Sequence, residues 1–227
     1  MKNKVLVILL CALIILFTVA CSPNATKFGS VSSPPIGVPV YMEEIPLVTL
    51  PRGSLVERID LSQMGRIRRL YSTGQLTIFF GTASTPTPFA EEGYASARLD
   101  ALQQMAQFIS VRVQSVESKL STTIGRLVDD PIVRSEVWST TRTVLNRVQK
   151  LFTDVKIYGG REIVWYRYHR AGELPRYGVV ILYDPYEAFI ALMNHPDFRT
   201  IFEETKRKLS EELSRELETS VEESLGL

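Results

Sequence analysis

The chain has 227 residues, 26 of them basic and 25 acidic, for a formal net charge of +1. A balance this even calls for neither nucleic acid nor a strongly charged substrate. The length suits one sizeable core with extensions. At the amino terminus Lys2 and Lys4 precede an apolar run from Val5 to Ala20, and small residues close it. That order is the pattern of a secretory signal peptide. The run is 16 residues long, and a spanning helix needs roughly 20, so the reading as an uncleaved anchor ranks second.

Val19-Ala20-Cys21-Ser22 resembles the lipobox of bacterial lipoproteins, with Thr18 where that motif has an aliphatic residue. The resemblance implies that Cys21 receives a diacylglycerol, that residues 1–20 are removed, and that the new amino terminus is acylated with palmitate-type chains. Ser22 in place of Asp implies the outer membrane, facing the periplasm. Each buried methylene adds ~0.8 kcal/mol, so two or more chains anchor stably. Cys11 leaves with the signal and Cys21 carries lipid, which leaves no thiol for a disulfide, a zinc site or a nucleophile.

Residues 21–53 read as a lipidated, Pro-rich tether holding six of the 12 prolines. Its later part, Val38 to Leu50, is more apolar and reads as an edge segment lying against the domain. The proline spacing argues against a central strand. Residues 54–195 then form the expected α+β domain. A short helix is expected near Ser62–Leu70, a strand over Leu76–Ala83, and a helix from Phe89 to Gln107. The last has a single buried stripe (Tyr94, Ala97, Ala101, Met105, Phe108), and its alanines predict close packing on a sheet. Ile109, Val111 and Val113 alternate with polar residues and predict a half-buried strand. Asp130-Pro131 opens a helix to Phe152. Strands follow over Val155–Tyr168 and Arg176–Tyr183, with Gly159-Gly160 marking a bulge or tight turn. Asp184-Pro185 opens a helix to Met193, and Pro196-Asp197 opens one long charged helix to about Ser224 within residues 196–227. The order β-α-β-α-β-β-α-α predicts helices on one face of a small mixed sheet.

Phe80-Gly81-Thr82-Ala83-Ser84, Tyr94-x-x-Ala97-Arg98-x-x-Ala101 and Ile109-x-Val111-x-Val113-x-Ser115 together resemble the twenty-kilodalton "LPP" lipoprotein family, which includes a flagellar lipoprotein. The resemblance spans roughly residues 75–184. It implies a lipidated cysteine, a glycine-ended strand, an Ala-rich helix, a Val-rich strand and a closing hairpin. For function it implies an envelope protein that assembles with itself or with partners and does no enzymatic chemistry. The long tether and the charged carboxy-terminal helix depart from the pattern.

Enzymatic machinery is not expected. His169 and His195 have no metal-ligand spacing and read as loop residues. The pairs Glu43-Glu44, Glu91-Glu92 and Asp129-Asp130 read as solvated or capping carboxylates, and Gly159-Gly160 lacks the lysine and glycine pattern of a phosphate loop. No catalytic residue, cofactor or metal site is assigned. Two features point to binding. Trp165, Tyr166, Tyr168 and Tyr177 crowd one hairpin, where successive residues face opposite sides. Some of that surface must then meet a partner, unless cross-strand pairing or the preceding linker covers it. Leu209, Leu213 and Leu217 recur every four residues along the last helix and offer a second partner surface. The basic runs Lys206-Arg207-Lys208 and Arg66, Arg68 and Arg69 are candidates for anionic headgroups.

The expectation is a lipid-anchored domain with a structural or protein-interaction role in the cell envelope. It attaches through Cys21 and joins a homo-oligomer or envelope partners. The alternative is an envelope binding module for a glycan or small apolar ligand through the aromatic hairpin.

Overall fold

The computed structural model describes residues 37–153, 159–169 and 171–227. The signal segment, Cys21, the tether up to residue 36 and the expected strand start at Val155–Tyr158 lie outside the described residues. The fold is α+β, with two antiparallel sheets and six α-helices among the described residues.

The supposed tether folds from Gly37 onward, which moves the domain's start ahead of residue 54. Strands β1 (Val38–Met42) and β2 (Ile45–Leu50) form an antiparallel hairpin. Glu43 holds the turn at φ 55°, a left-handed conformation uncommon outside glycine. Strand β3 (Ser54–Ile59) follows a turn in which the Ser54 N–H donates to the Pro51 carbonyl at 3.1 Å and Gly53 supplies φ +81°. The Asp60 carboxylate accepts from the Ser62 N–H and caps a short 3₁₀ turn, Leu61–Gln63, which leads into α1 (Met64–Ser72).

The main sheet runs β3-β5-β6-β4, with β4 at Thr77–Thr82, β5 at Gly160–Tyr168 and β6 at Arg176–Tyr183. Every pairing in it is antiparallel, so the expected mixed sheet is corrected. Central β6 is buried along nearly its whole length because both faces of the sheet are covered. Val179, Ile181 and Tyr183 enter a core with Phe79 and the long helices, while Val180 and Leu182 enter a second core. That second core holds the hairpin residues Val40, Met42, Ile45 and Leu50 and the α1 residues Ile67 and Leu70. Alternation along one strand therefore serves two cores. Helices occupy both sides, not one.

Helix α2 (Ala90–Leu127) is 38 residues long, so the strand expected at Ile109–Val113 is its middle. Ile109, Val113, Val116, Leu120 and Ile124 continue the buried stripe of Ala97, Ala101 and Met105, whereas Val111 is 58 % exposed. A strand would have put Val111 on the same face as Ile109 and Val113. The Val-rich strand that the family resemblance implies is thus absent at this position. Helix α3 (Pro131–Thr153) starts as expected, with the Asp130 carboxylate accepting from the Ile132 N–H at 2.7 Å and the Val133 N–H at 3.1 Å.

Helix α4 (Pro185–Met193) is capped by Asp184. The expected long final helix is two: α5 (Pro196–Lys208) and α6 (Glu211–Leu225). The Ser210 hydroxyl accepts from the Leu213 N–H and starts a new helix. The break folds α6 back beside α5, where Lys206 Nζ lies 3.1 Å from Glu218 Oε2.

Candidate functional site

Three features compete for the role of a site: the aromatic hairpin, an arginine–carboxylate cluster, and a groove beside β4. The hairpin's aromatics are largely internal. Tyr166 is fully buried, and its ring covers Gly178, its direct cross-strand partner. A Cβ at position 178 would collide with the ring and force it to move. The Tyr166 hydroxyl lies 3.3 Å from Thr82 Oγ1, and burial pushes its pKa up. The β1–β2 hairpin packs in the same core, so the segment read as linker supplies the cover.

Tyr177 lies against Gly93 of α2 and meets Tyr94 edge-on, with ring centroids 5.0 Å apart. The Tyr94 hydroxyl donates to Glu57 Oε2 at 2.6 Å, and Glu57 also pairs with Arg167 at 2.7 Å. Burial first, and then the hydrogen bond to Glu57, raise the Tyr94 pKa. Trp165 is half-buried beneath the Arg58 guanidinium, 3.5 Å from the ring centroid, and its Nε1–H donates to Glu162 at 3.0 Å. Tyr168 is half-buried against the second core. Four of the seven residues expected to form a partner surface (Tyr166, Tyr177, Leu213 and Leu217) are buried inside the chain. Trp165, Tyr168 and Leu209 are partly covered by it. The chain covers them itself: α6 carries Leu213 and Leu217 into the helical core, α2 meets Tyr177, and β1–β2 packs with Tyr166 and Tyr168.

The basic residues of α1 are also committed internally. Arg66 and Arg69 both pair with the fully buried Asp184 carboxylate, Arg66 reaches Glu187, and Arg68 pairs with Glu43. Asp184 at the same time accepts from the Tyr186 N–H at 3.1 Å and the Glu187 N–H at 3.4 Å. One carboxylate thus caps α4 and holds α1, and a capping anion at a helix amino terminus is electrostatically favourable. The sequence marked the cap through Asp-Pro but gave no sign of the arginines.

His169 is exposed and His195 is the N-cap residue of α5. Among the described residues no group of three or more His, Cys, Asp or Glu is placed to hold a metal ion. Glu91 and Glu92 sit in the first turn of α2, where its dipole favours them.

The third feature was not marked by any motif. A groove of about 420 Å³ runs between β2 and the edge strand β4, lined by Val48, Leu50, Pro51, Phe80 and Tyr166, with Arg52 and Thr82 as polar neighbours. The outer edge of β4 is partly closed by α2. Asp100 accepts from the Thr82 N–H at 3.0 Å, and Gln104 donates to the Phe80 carbonyl at 2.9 Å. Only an exposed Phe in a Thr-Ile-Phe-Phe-Gly-Thr strand hinted at this, since alternation requires one of the two phenylalanines to face away from the helices.

Comparison with known proteins finds no matching family, no similar curated protein and no similar solved structure.

Proposed function

We propose that this chain is a lipid-anchored bacterial envelope protein with a structural or protein-interaction role. The observation that carries the reading is Cys21 in Val19-Ala20-Cys21-Ser22, after a basic start and a 16-residue apolar run. Among the described residues no helix is long and apolar enough to cross a membrane. The aromatic and arginine clusters serve the chain's own packing, which fits a domain built for rigidity. Contact with other chains is assigned to the two long helices, on which Leu99, Val111 and Ile132 stand exposed. Isolated apolar residues are ordinary on a surface, so the test must be the assembly itself.

Cys21→Ser releases the protein from the membrane fraction and abolishes acylation on this reading. Unchanged membrane retention and processing refute the anchor. The released form gives a ring or higher oligomer by native mass measurement, and a strict monomer at cellular concentration refutes the assembly role.

A further inference from the structure

We propose that the groove between β2 and β4 binds an amphiphile with one alkyl chain and one anionic head, of the long-chain carboxylate type, independently of the anchoring reading. Its volume of about 420 Å³ falls within the ~300–1,000 Å³ usual for ligand clefts that are mostly apolar with a few placed polar groups. The accessible apolar surface comes from Val48 and Pro51 on the hairpin side and Phe80 on β4, with the buried Leu50 and the buried Tyr166 of β5 behind them. Phe80 is 53 % exposed and lies beside other apolar groups in a concavity, unlike a lone surface side chain.

The polar equipment is sparse and one-sided. The Thr82 and Tyr166 hydroxyls are 3.3 Å apart and engage each other. Arg52 is exposed, lines the groove, and makes no hydrogen bond or ion pair among the described residues. By contrast, Arg66, Arg68 and Arg69 are all paired. A free guanidinium beside an apolar concavity complements a carboxylate, which it can bind through two parallel N–H donors. A glycan requires more donors and acceptors than this lining offers. An added peptide strand requires the outer edge of β4, where Asp100 and Gln104 already engage the Thr82 N–H and the Phe80 carbonyl. An alkyl chain with an acidic end needs neither.

The purified protein, as the wild-type or the Cys21→Ser chain, is titrated with dodecanoate, dodecyltrimethylammonium and dodecyl maltoside, each below its micellar concentration, and followed by backbone amide shifts. Dodecanoate moves the Leu50, Phe80 and Thr82 amides saturably. Arg52→Gln weakens it about tenfold while leaving the maltoside unaffected, and Phe80→Ser weakens both. Both positions are exposed, so the variants keep the fold, as an unchanged amide spectrum without ligand verifies. The proposal is overturned if dodecanoate does not saturate, if the cationic amphiphile binds as tightly, or if neither substitution changes the affinity. It is equally overturned if residues 31–36 contact Phe80 in the ligand-free protein, which would make the groove a seat for the chain's own segment.

Discussion

Asp184 shows how much one residue can carry. Its carboxylate accepts two backbone N–H groups of α4 and pairs with two arginines of α1, while being fully buried. Asp184→Ala removes the cap and leaves Arg66 and Arg69 without their shared partner. Both arginines retain some contact with water and Arg66 keeps Glu187, so the cost is about 2–3 kcal/mol, below that of a fully buried pair. Asp184→Asn keeps an oxygen for the cap but loses the charge and the Oδ2 acceptor that faces the arginines, so its cost is smaller by the worth of the cap. Urea unfolding of the two variants tests this, and equal losses would remove the cap from the account. The capping half of this role was legible in Asp-Pro. The ionic half was not, because Arg69 lies 115 residues away in sequence.

At the level of elements, β4 and α2 approach each other closely. A Cβ on Gly81 would run into the Ala97 carbonyl and the Ala101 backbone nitrogen. The strand–helix contact therefore depends on glycine facing two alanines, as the alanine-rich pattern suggested. Gly81→Ala should cost about 3 kcal/mol, the upper end of overpacking, because the opposing atoms are backbone and cannot swing away. A thermal midpoint unchanged from the parent would mean that α2 rides farther from the sheet. The two misread elements have related causes. Ile109-x-Val111-x-Val113 fits both a strand and a helix over five residues, and short apolar runs do not separate the two. The deciding signal was the absence of glycine and proline from Tyr94 to Ile124, which leaves nothing to end the helix. In the last segment Lys206-Arg207-Lys208 followed by Ser210-Glu211-Glu212 was the missed sign. Basic residues at one helix's end and an N-cap with acidic residues at the next mark a boundary.

For the whole molecule, the two cores share β6, and buried tyrosines tie the layers together. The Tyr183 hydroxyl donates to the Leu225 carbonyl at 3.0 Å, joining the sheet to the end of α6. Burial raises the pKa of Tyr183, and burial also leads the upward shifts of Tyr94 and Tyr166. In the unfolded chain these phenols ionise near ~10, while in the folded protein they stay neutral to higher pH. The unfolded state then holds fewer protons, so their contribution is complete below about pH 10 and is lost as pH rises toward the folded-state values. Part of the tyrosinate absorbance should appear only together with the loss of helical circular dichroism at alkaline pH. A full tyrosine titration with the helix signal intact would contradict the burial of these rings.

The sequence by itself determined what is local: the α+β class, the Asp130 and Asp184 caps, the bounds of β6 and the alanine face of α2. Its amino-terminal pattern also supplies the anchoring proposal. Each of these depends on neighbours within a few residues, where propensity, capping and period act directly. Only the tertiary structure decided which aromatic residues are covered, where the arginines find their carboxylate, and that Val38–Leu50 closes a second core. These outcomes depend on which distant segments share a face of β6, and no local pattern records that pairing. The β2–β4 groove arises in the same way, as a space lined by residues of the hairpin and of the main sheet.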